Sequence, residues 1–301
     1  MEDLLQDNVK YCIDLLREAG IKVWMLTGDK METAKCISIS TGLLAKKDEI
    51  WLIDRVESAE ALNQKFNQYL QTFTRNKSYY LLIDGMSLLQ ATKDENIQNF
   101  LSLAMKANCV CCCRCAPSQK REITSKLKSL NKRVLGIGDG GNDVGMIQEA
   151  HVGIGIEGKE GKQAALASDY SIREFQDVLK LVLWHGRMIY MTVSKMCNWV
   201  MHRGLIIAAI QFFFTIMFFF IDIPIFNGFL IFGYSTIFTS LPVISIIMDE
   251  DLDYHTVRSY PKLYRELQLG RLLNNKKFFL MLAKAVFQVP SVTHRREVLS
   301  Y

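Results

Sequence analysis

Apolar residues recur at helical spacing near the start of the chain, at Val9, Cys12, Ile13 and Leu16, and Gly20 halts the pattern. A helix over residues 7–19 is the expectation. Short apolar runs then come at residues 22–26, 79–83, 109–113, 132–137 and 152–156, bounded by charged or turn-forming residues. Runs of this length, alternating with helical patterns, predict an α/β unit built on one open, largely buried sheet. Residues 43–77, amphipathic at 61–73, read as an inserted helix and loop on the sheet edge. Residues 1–180 make about enough chain for one such domain.

The pattern changes after Arg203. Residues 204–221 contain no charge and only Gln211 and Thr215 as polar breaks, and a second uncharged run, 226–248, follows an Asp222-Ile223-Pro224 connection. Crossing the hydrocarbon core of a bilayer takes about 20 residues. Both runs approach that length if the first begins near Asn198, so residues 199–248 are predicted to form a transmembrane helical hairpin. Residues 181–198 would be a helical stalk leading into it, with Trp184, Arg187, Tyr190, Lys195 and Trp199 as interfacial anchors. Basic residues flank both spans, from Arg187, Lys195 and Arg203 on one side to Arg258, Lys262 and Arg265 on the other. The connecting loop has none, which puts both ends in the cytosol. In the second span Leu241-Pro242 removes a backbone hydrogen bond, either opening a polar point beside Thr236, Thr239 and Ser240 or making a packed kink. The acidic run 249–253 reads as a solvated cap and residues 249–301 as a cytosolic tail, in which 278–289 is too short to span and contains Lys284.

Composition sharpens this division. Half of the 301 residues are apolar, with 17 Phe and 13 Met, yet residues 1–180 look soluble. The net charge of +5 is modest and much of the excess sits beside the predicted membrane. No basic stripe with interleaved aromatics occurs, which excludes a nucleic-acid binder. Five of the eight cysteines crowd into residues 109–115, but no paired Cys-x-x-Cys unit lies elsewhere to complete a zinc shell, and alternate strand positions face opposite ways. Reduced thiols under the sheet of a cytosolic domain are the expectation. The acidic, polar start at Met1-Glu2-Asp3 agrees, since it has no signal peptide.

Candidate chemistry gathers at the ends of three predicted strands. Gly136-Ile137-Gly138-Asp139-Gly140-Gly141-Asn142-Asp143 sets two carboxylates and an amide on a glycine-rich turn. Open α/β sheets bind ligands at strand carboxyl ends, and oxygen ligands there suit Mg²⁺ that shares phosphate oxygens. The alternative is a plain solvated turn. Thr27-Gly28-Asp29 ends the run at 22–26, where the hydroxyl can donate to a phosphoryl oxygen and the glycine lets the backbone approach it. Past 109–113 come Arg114, a forked donor for phosphate or nucleotide, and Lys120, a point charge against a transferring phosphoryl group.

Three strings extend these features: Met25-Leu26-Thr27-Gly28-Asp29-Lys30-Met31-Glu32-Thr33-Ala34, Cys113-Arg114-Cys115-Ala116-Pro117-Ser118-Gln119-Lys120 and Gly138-Asp139-Gly140-Gly141-Asn142-Asp143. With Gly158-Lys159-Glu160-Gly161-Lys162-Gln163-Ala164 they strongly resemble P-type ATPases of the phospholipid flippase (type IV) family. Within it the chain looks closest to the class acting without an accessory subunit, and the resemblance runs from Glu2 to about Phe279. It implies an α/β, Rossmann-like phosphorylation domain of the haloacid-dehalogenase type, in its carboxyl part, followed by an α-helical transmembrane hairpin. It implies Thr27, Lys120 and Asp139 as catalytic residues. Thr27, Gly28, Asp29, Arg114, Lys120, Asn142 and Asp143 would meet the phosphates of ATP, with Asp139 and Asp143 at Mg²⁺. The implied cargo is phospholipid, in Golgi or endosomal membranes, with the remaining domains or another copy of the pump as partners.

The family's nucleophile, an aspartate in Asp-Lys-Thr-Gly-Thr, does not occur; the nearest string is Asp29-Lys30-Met31-Glu32-Thr33. Also lacking are counterparts of the nucleotide-binding domain, the actuator domain and the first four membrane helices, so both ends look cut. Two readings stay open: part of an ATP-driven translocase, or a catalytically inactive, membrane-anchored regulatory or interaction fragment of the same pump. The missing nucleophile excludes a stand-alone phosphatase. Arg203 lies where similar flippases usually carry a lysine in the fifth membrane helix. That position implies a contact to a lipid headgroup or to the rest of the pump, and the alternative is a snorkelling anchor.

Overall fold

The computed structural model describes residues 5–45, 47–56, 58–74, 77–93, 96–158, 162–220 and 223–299, with side chains described through residue 288. Three features read from the sequence lie outside the described residues: the polar start at 1–4, the centre of the 158–164 string at 159–161, and the turn residues 221–222. The chain divides into two compact units, Met1–Lys180 and Leu181–Tyr301.

The first unit alternates helices and strands in the order α1 Val9–Glu18, β1 Trp24–Leu26, α2 Met31–Ser40, β2 Glu49–Ile53, α3 Ala59–Thr72, β3 Tyr79–Asp84 and α4 Gly85–Ala91. It continues with α5 Ile97–Lys106, β4 Cys109–Cys113, α6 Pro117–Ser129, β5 Leu135–Gly138, α7 Val144–Glu149, β6 Val152–Ile156, α8 Gln163–Ala167, β7 Tyr170–Ile172 and the short α9 Asp177–Leu179. Helix α1 stops where Gly20 takes a left-handed φ of 85°, a conformation that costs glycine little. The strands fall into two parallel sheets, β1-β4-β3-β2 and β5-β6-β7, where one was expected. Strands β1 and β5 each end their sheet, and their side chains Trp24, Met25, Leu26, Leu135 and Ile137 are only half-buried. The run at 132–137, expected to be a buried strand, is therefore a half-buried edge strand.

Strands β3 and β4 form the buried centre, covered on both faces, as their near-continuous apolar runs require. Tyr79, Leu81, Ile83, Val110 and Cys112 point into a core closed by Leu62 and Phe66 of α3, Phe100 and Leu103 of α5, and Ile123 of α6. Tyr80, Leu82, Cys109, Cys111 and Cys113 point the other way, against Ile13 of α1 and Ala34 of α2. The crowded cysteines thus split between faces, and no disulfide forms among the described residues. Burial pushes the Cys109 thiol up to about 12, as suits an inert core group. The expected insertion at 43–77 instead contributes β2, whose Trp51 is 1% exposed and stacks 4.2 Å from Tyr79 and 5.6 Å from Tyr69.

In the second unit a π-helical turn, Lys180–His185, leads into α10, Gly186–Met217, one continuous helix of 32 residues. The predicted stalk and first span are thus a single element, ending at Met217 rather than 221. The second span is broken: α11 Gly228–Gly233, a π turn at Tyr234–Phe238, then α12 Ser240–Met248. The break lies one turn before Pro242, whose missing N–H and ring disturb the preceding carbonyls. Both helical runs are long and apolar enough to cross a membrane. Beyond them come α13 Tyr254–Ser259, α14 Tyr264–Gln268 and α15 Asn275–Leu299, a helix of 25 residues.

Several stalk side chains do other work than anchoring. Arg187, 6% exposed, forms a forked ion pair with Asp251 at 2.8 and 2.9 Å and donates to the Leu263 carbonyl at 3.1 Å. Trp184 Nε1 donates to the Leu252 carbonyl at 3.1 Å, and Lys195 pairs with Asp249 at 3.0 Å. The acidic run 249–253 thus forms a socket for α10 through Asp249, Asp251 and the Leu252 carbonyl, while Asp249, Glu250 and Asp253 stay exposed to solvent as expected of a cap. Arg203 is held within the protein, by the Ser235 carbonyl and the Thr239 hydroxyl.

Candidate functional site

Because every strand pairing is parallel, the strand carboxyl ends of each sheet share one side, where loop residues converge. At the end of β1 the Thr27 amide donates to the Cys112 carbonyl at 2.9 Å, and the Thr27 carbonyl accepts from Cys115 at 3.0 Å. Two residues beyond Thr27, the Asp29 carbonyl accepts from the Arg114 amide at 3.0 Å. The ends of β1 and β4 are thereby laced together. Thr27 Oγ1 donates to the Asp29 carboxylate at 2.7 Å and accepts from the Asp29 amide at 3.1 Å, so its proton is already engaged within the turn. A phosphoryl oxygen would have to replace Asp29 as acceptor. In front of Gly28 the space is open.

Arg114 takes a left-handed φ of 49°, rare for a residue with a side chain and a mark of a constrained position. Its side chain is exposed, and the guanidinium makes no bond among the described residues. The corner from β4 into α6 is held by Gln119, whose Oε1 accepts from the Ala116 amide at 2.9 Å while Nε2 donates to the Gly85 carbonyl at 2.7 Å. A side chain at Gly85 would collide with the Arg114 carbonyl. Gly85 was not singled out from sequence, and Gln119 stood in a motif string without a role; two positions after the helix-starting Pro117, it carries the signal of a capping glutamine.

Lys120, 7% exposed, follows in the first turns of α6, and its Nζ lies 2.8 Å from Asp143 Oδ1. Asp143 reaches this position by a 3₁₀ turn, Gly141–Asp143, directly after β5. The turn folds back so closely that a Cβ on Gly138 would strike Asp143, so glycine there is a condition of the ion pair. A second pairing braces the same joint: Glu149 of α7 accepts from Arg121 at 3.3 Å and lies 3.7 Å from Lys128, both on α6. The Arg121 contact, with help from Lys128, holds the Glu149 carboxyl below its usual range.

Asp139 is exposed at the end of β5, and its carboxylate has no hydrogen-bond partner among the described residues. It faces Gly158, whose added Cβ would lie 3.7 Å from Asp139 Oδ2. Asn142 is exposed and likewise unbonded among the described residues. The predicted residues therefore gather as two bonded groups, Thr27 with Asp29 and Arg114, and Lys120 with Asp143. Asp139 stands open beside the second. No group of three or more acidic, histidine or cysteine residues able to hold a metal occurs among the described residues.

Comparison with known proteins agrees on one family. The family model for the C-terminal part of phospholipid-translocating P-type ATPases matches residues 165–292. The chain is 45% identical over 289 residues to "Phospholipid-transporting ATPase NEO1" of Saccharomyces cerevisiae, covering 96% of this chain and 25% of that protein. "Probable phospholipid-transporting ATPase IIB" of Homo sapiens is 43% identical over 289 residues, with the same coverages. "Phospholipid-transporting ATPase 2" of Arabidopsis thaliana is 38% identical over 293 residues, covering 95% of this chain and 26% of that protein. The chain thus spans about a quarter of the length of these curated relatives. It belongs to the phospholipid-transporting P-type ATPase family.

Proposed function

We propose that the first unit holds the phosphates of ATP together with Mg²⁺, as part of the phosphorylation domain of an ATP-driven phospholipid translocase with a haloacid-dehalogenase-like site. The observation that carries this reading is the Lys120–Asp143 ion pair of 2.8 Å, a buried cation and a carboxylate held near strand ends, with Asp139 exposed at the end of β5. Lys120 would neutralise phosphoryl charge, Arg114 would fork onto phosphate oxygens, and Gly28 would admit them. Thr27, Asp29 and Asn142 would complete the cradle. The acidic donors fit Mg²⁺, since Asp139 and Asp143 offer only hard oxygen atoms. Bound there, the cation would neutralise developing charge on phosphate, with phosphate and water filling the positions two carboxylates leave. In this reading residues 1–180 and both chain ends are cytosolic, the hairpin lies in a Golgi or endosomal membrane, and the lipid is moved with other domains or another copy of the pump.

Calorimetry of the chain with ATP and Mg²⁺ tests this. Weak binding that Lys120→Met reduces at least tenfold is expected, and binding equal in the two proteins would refute the assignment.

A further inference from the structure

Lipid tails solvate Leu and Phe as well as another helix does, so apolar burial alone does not hold two spans together in a membrane. Polar groups must supply much of the grip. Three side chains of α10, at intervals of eight residues, reach the second arm of the hairpin or the connection that leads into it. Lys195 pairs with Asp249 at 3.0 Å. Arg203 Nη1 donates to the Ser235 carbonyl at 2.8 Å and to Thr239 Oγ1 at 2.6 Å. Gln211 Nε2 donates to the Ile223 carbonyl at 3.2 Å, and its Oε1 accepts from the Ile225 amide at 3.1 Å. Eight residues are about 12 Å of helix, so these rungs span about 24 Å of α10.

The middle rung meets the hairpin where its backbone is open. Pro242 has no N–H to offer the carbonyl four residues earlier, and the turn before it widens to the π geometry of Tyr234–Phe238. Thr239 Oγ1, with one proton to give, lies 2.9 Å from the Tyr234 carbonyl and 3.1 Å from that of Ser235, and the Ser235 carbonyl also accepts from Arg203. An unserved carbonyl at membrane depth would cost several kcal/mol. We propose that Arg203 is a positioning residue: its guanidinium closes the widened carbonyl ladder of the second span and fixes the two spans as one body. In that role Nη1 is satisfied inside the protein, by two neutral acceptors. The rival assignment, an anion ligand such as a lipid phosphate, draws on Nε and Nη2, which have no partner among the described residues.

The two assignments separate in Thr239→Val, which keeps the charge and removes one of the two acceptors. The full chain would be placed in phosphatidylcholine nanodiscs and amide hydrogen exchange read across residues 234–243, with Arg203→Lys and Arg203→Met in parallel. Exchange at 234–243 should rise about threefold or more in Thr239→Val and in Arg203→Lys, which offers a point charge in place of a fork. It should rise at least tenfold in Arg203→Met. Unchanged exchange in Thr239→Val and Arg203→Lys would overturn the proposal, and those two variants decide even if Arg203→Met does not insert. A short-chain phosphatidylserine probe adds a second readout. Its binding should survive Arg203→Lys and Arg203→Met, and its loss without faster exchange would assign the guanidinium to an anion.

Discussion

Replacing Lys120 with methionine removes one partner of an ion pair whose side chains are only 9% and 15% exposed. The methionine fills most of the space, so the perturbation is chiefly electrostatic: Asp143 keeps a charge with little water to solvate it. Removing one partner of a fully buried pair costs about 3–5 kcal/mol, and the residual exposure of Asp143 reduces this to about 2–3 kcal/mol. For a unit of 180 residues, an unfolding entropy of about 2.1 cal/mol/K per residue turns that loss into a fall in Tm of about 5–8 °C. The buried, stacked Trp51 reports the transition by its fluorescence, in the whole chain held in detergent. The double variant Lys120→Met/Asp143→Asn should recover most of the loss, because a neutral pair leaves no stranded charge. A fall below about 1 °C in the single variant, or a double variant as unstable as the sum of the singles, would refute the reasoning. The same substitution should tighten binding of free Mn²⁺, used as a probe for Mg²⁺, while weakening ATP, since a cation is removed from beside a carboxylate.

The Cys109 thiol, raised from 9.0 to about 12 by burial, is favoured in its protonated form by the fold; its contribution is complete below pH 9 and is lost as pH rises toward 12. Alkaline unfolding should therefore begin above pH 9, with a shallower slope in Cys109→Ala, measured by urea titration at each pH. Trp51 Nε1 is buried with no hydrogen-bond partner among the described residues, so Trp51→Phe should cost less than about 1 kcal/mol while Trp51→Ala costs about 3–5 kcal/mol by the same titration. Arg187→Met strands Asp251 and the Leu263 carbonyl and should cost about 2–4 kcal/mol. The emission of Trp184, bonded to the adjacent Leu252 carbonyl, should shift with it, and an unshifted spectrum would count against the socket described for α10.

Much of the architecture was legible because burial repeats along the chain. The helix at Val9–Glu18 and the strand at Val152–Ile156 each carry their own period and their own punctuation. Strand β2 did not stand out, because Glu49-Ile50-Trp51-Leu52-Ile53 is five residues set between charged neighbours and precedes a stronger amphipathic helix. Strand content does not reveal sheet count, so the separation of β5-β6-β7 from the other four strands came only with the pairing. At the site, the residue types pointed to phosphate chemistry. The supports were less plain: Gly85 was silent, and Gly138 and Gln119 stood in motif strings without a role, because all three act through closeness to groups along the fold or through backbone geometry. Arg187 and Asp251, 64 positions apart, looked like an anchor and a cap until folding made them a pair.

Strands β3 and β4 carry a further consequence. A strand with one wet side is aligned by its own polarity, since a slip of one residue would drown charges and expose the core. These two have no wet side: Tyr79, Leu81 and Ile83 would exchange places with Tyr80 and Leu82 at little cost in buried area. Their alignment must be fastened at the tips. One fastening is the Asn108 amide on the Tyr79 carbonyl at 2.8 Å, and the other is the buried Asp84, which takes the amides of Ser87 at 3.0 Å and Arg55 at 3.3 Å. Asp84 thus bolts the tip of β3 to the loop after β2 and to the start of α4, and the placing of those loops inherits its precision.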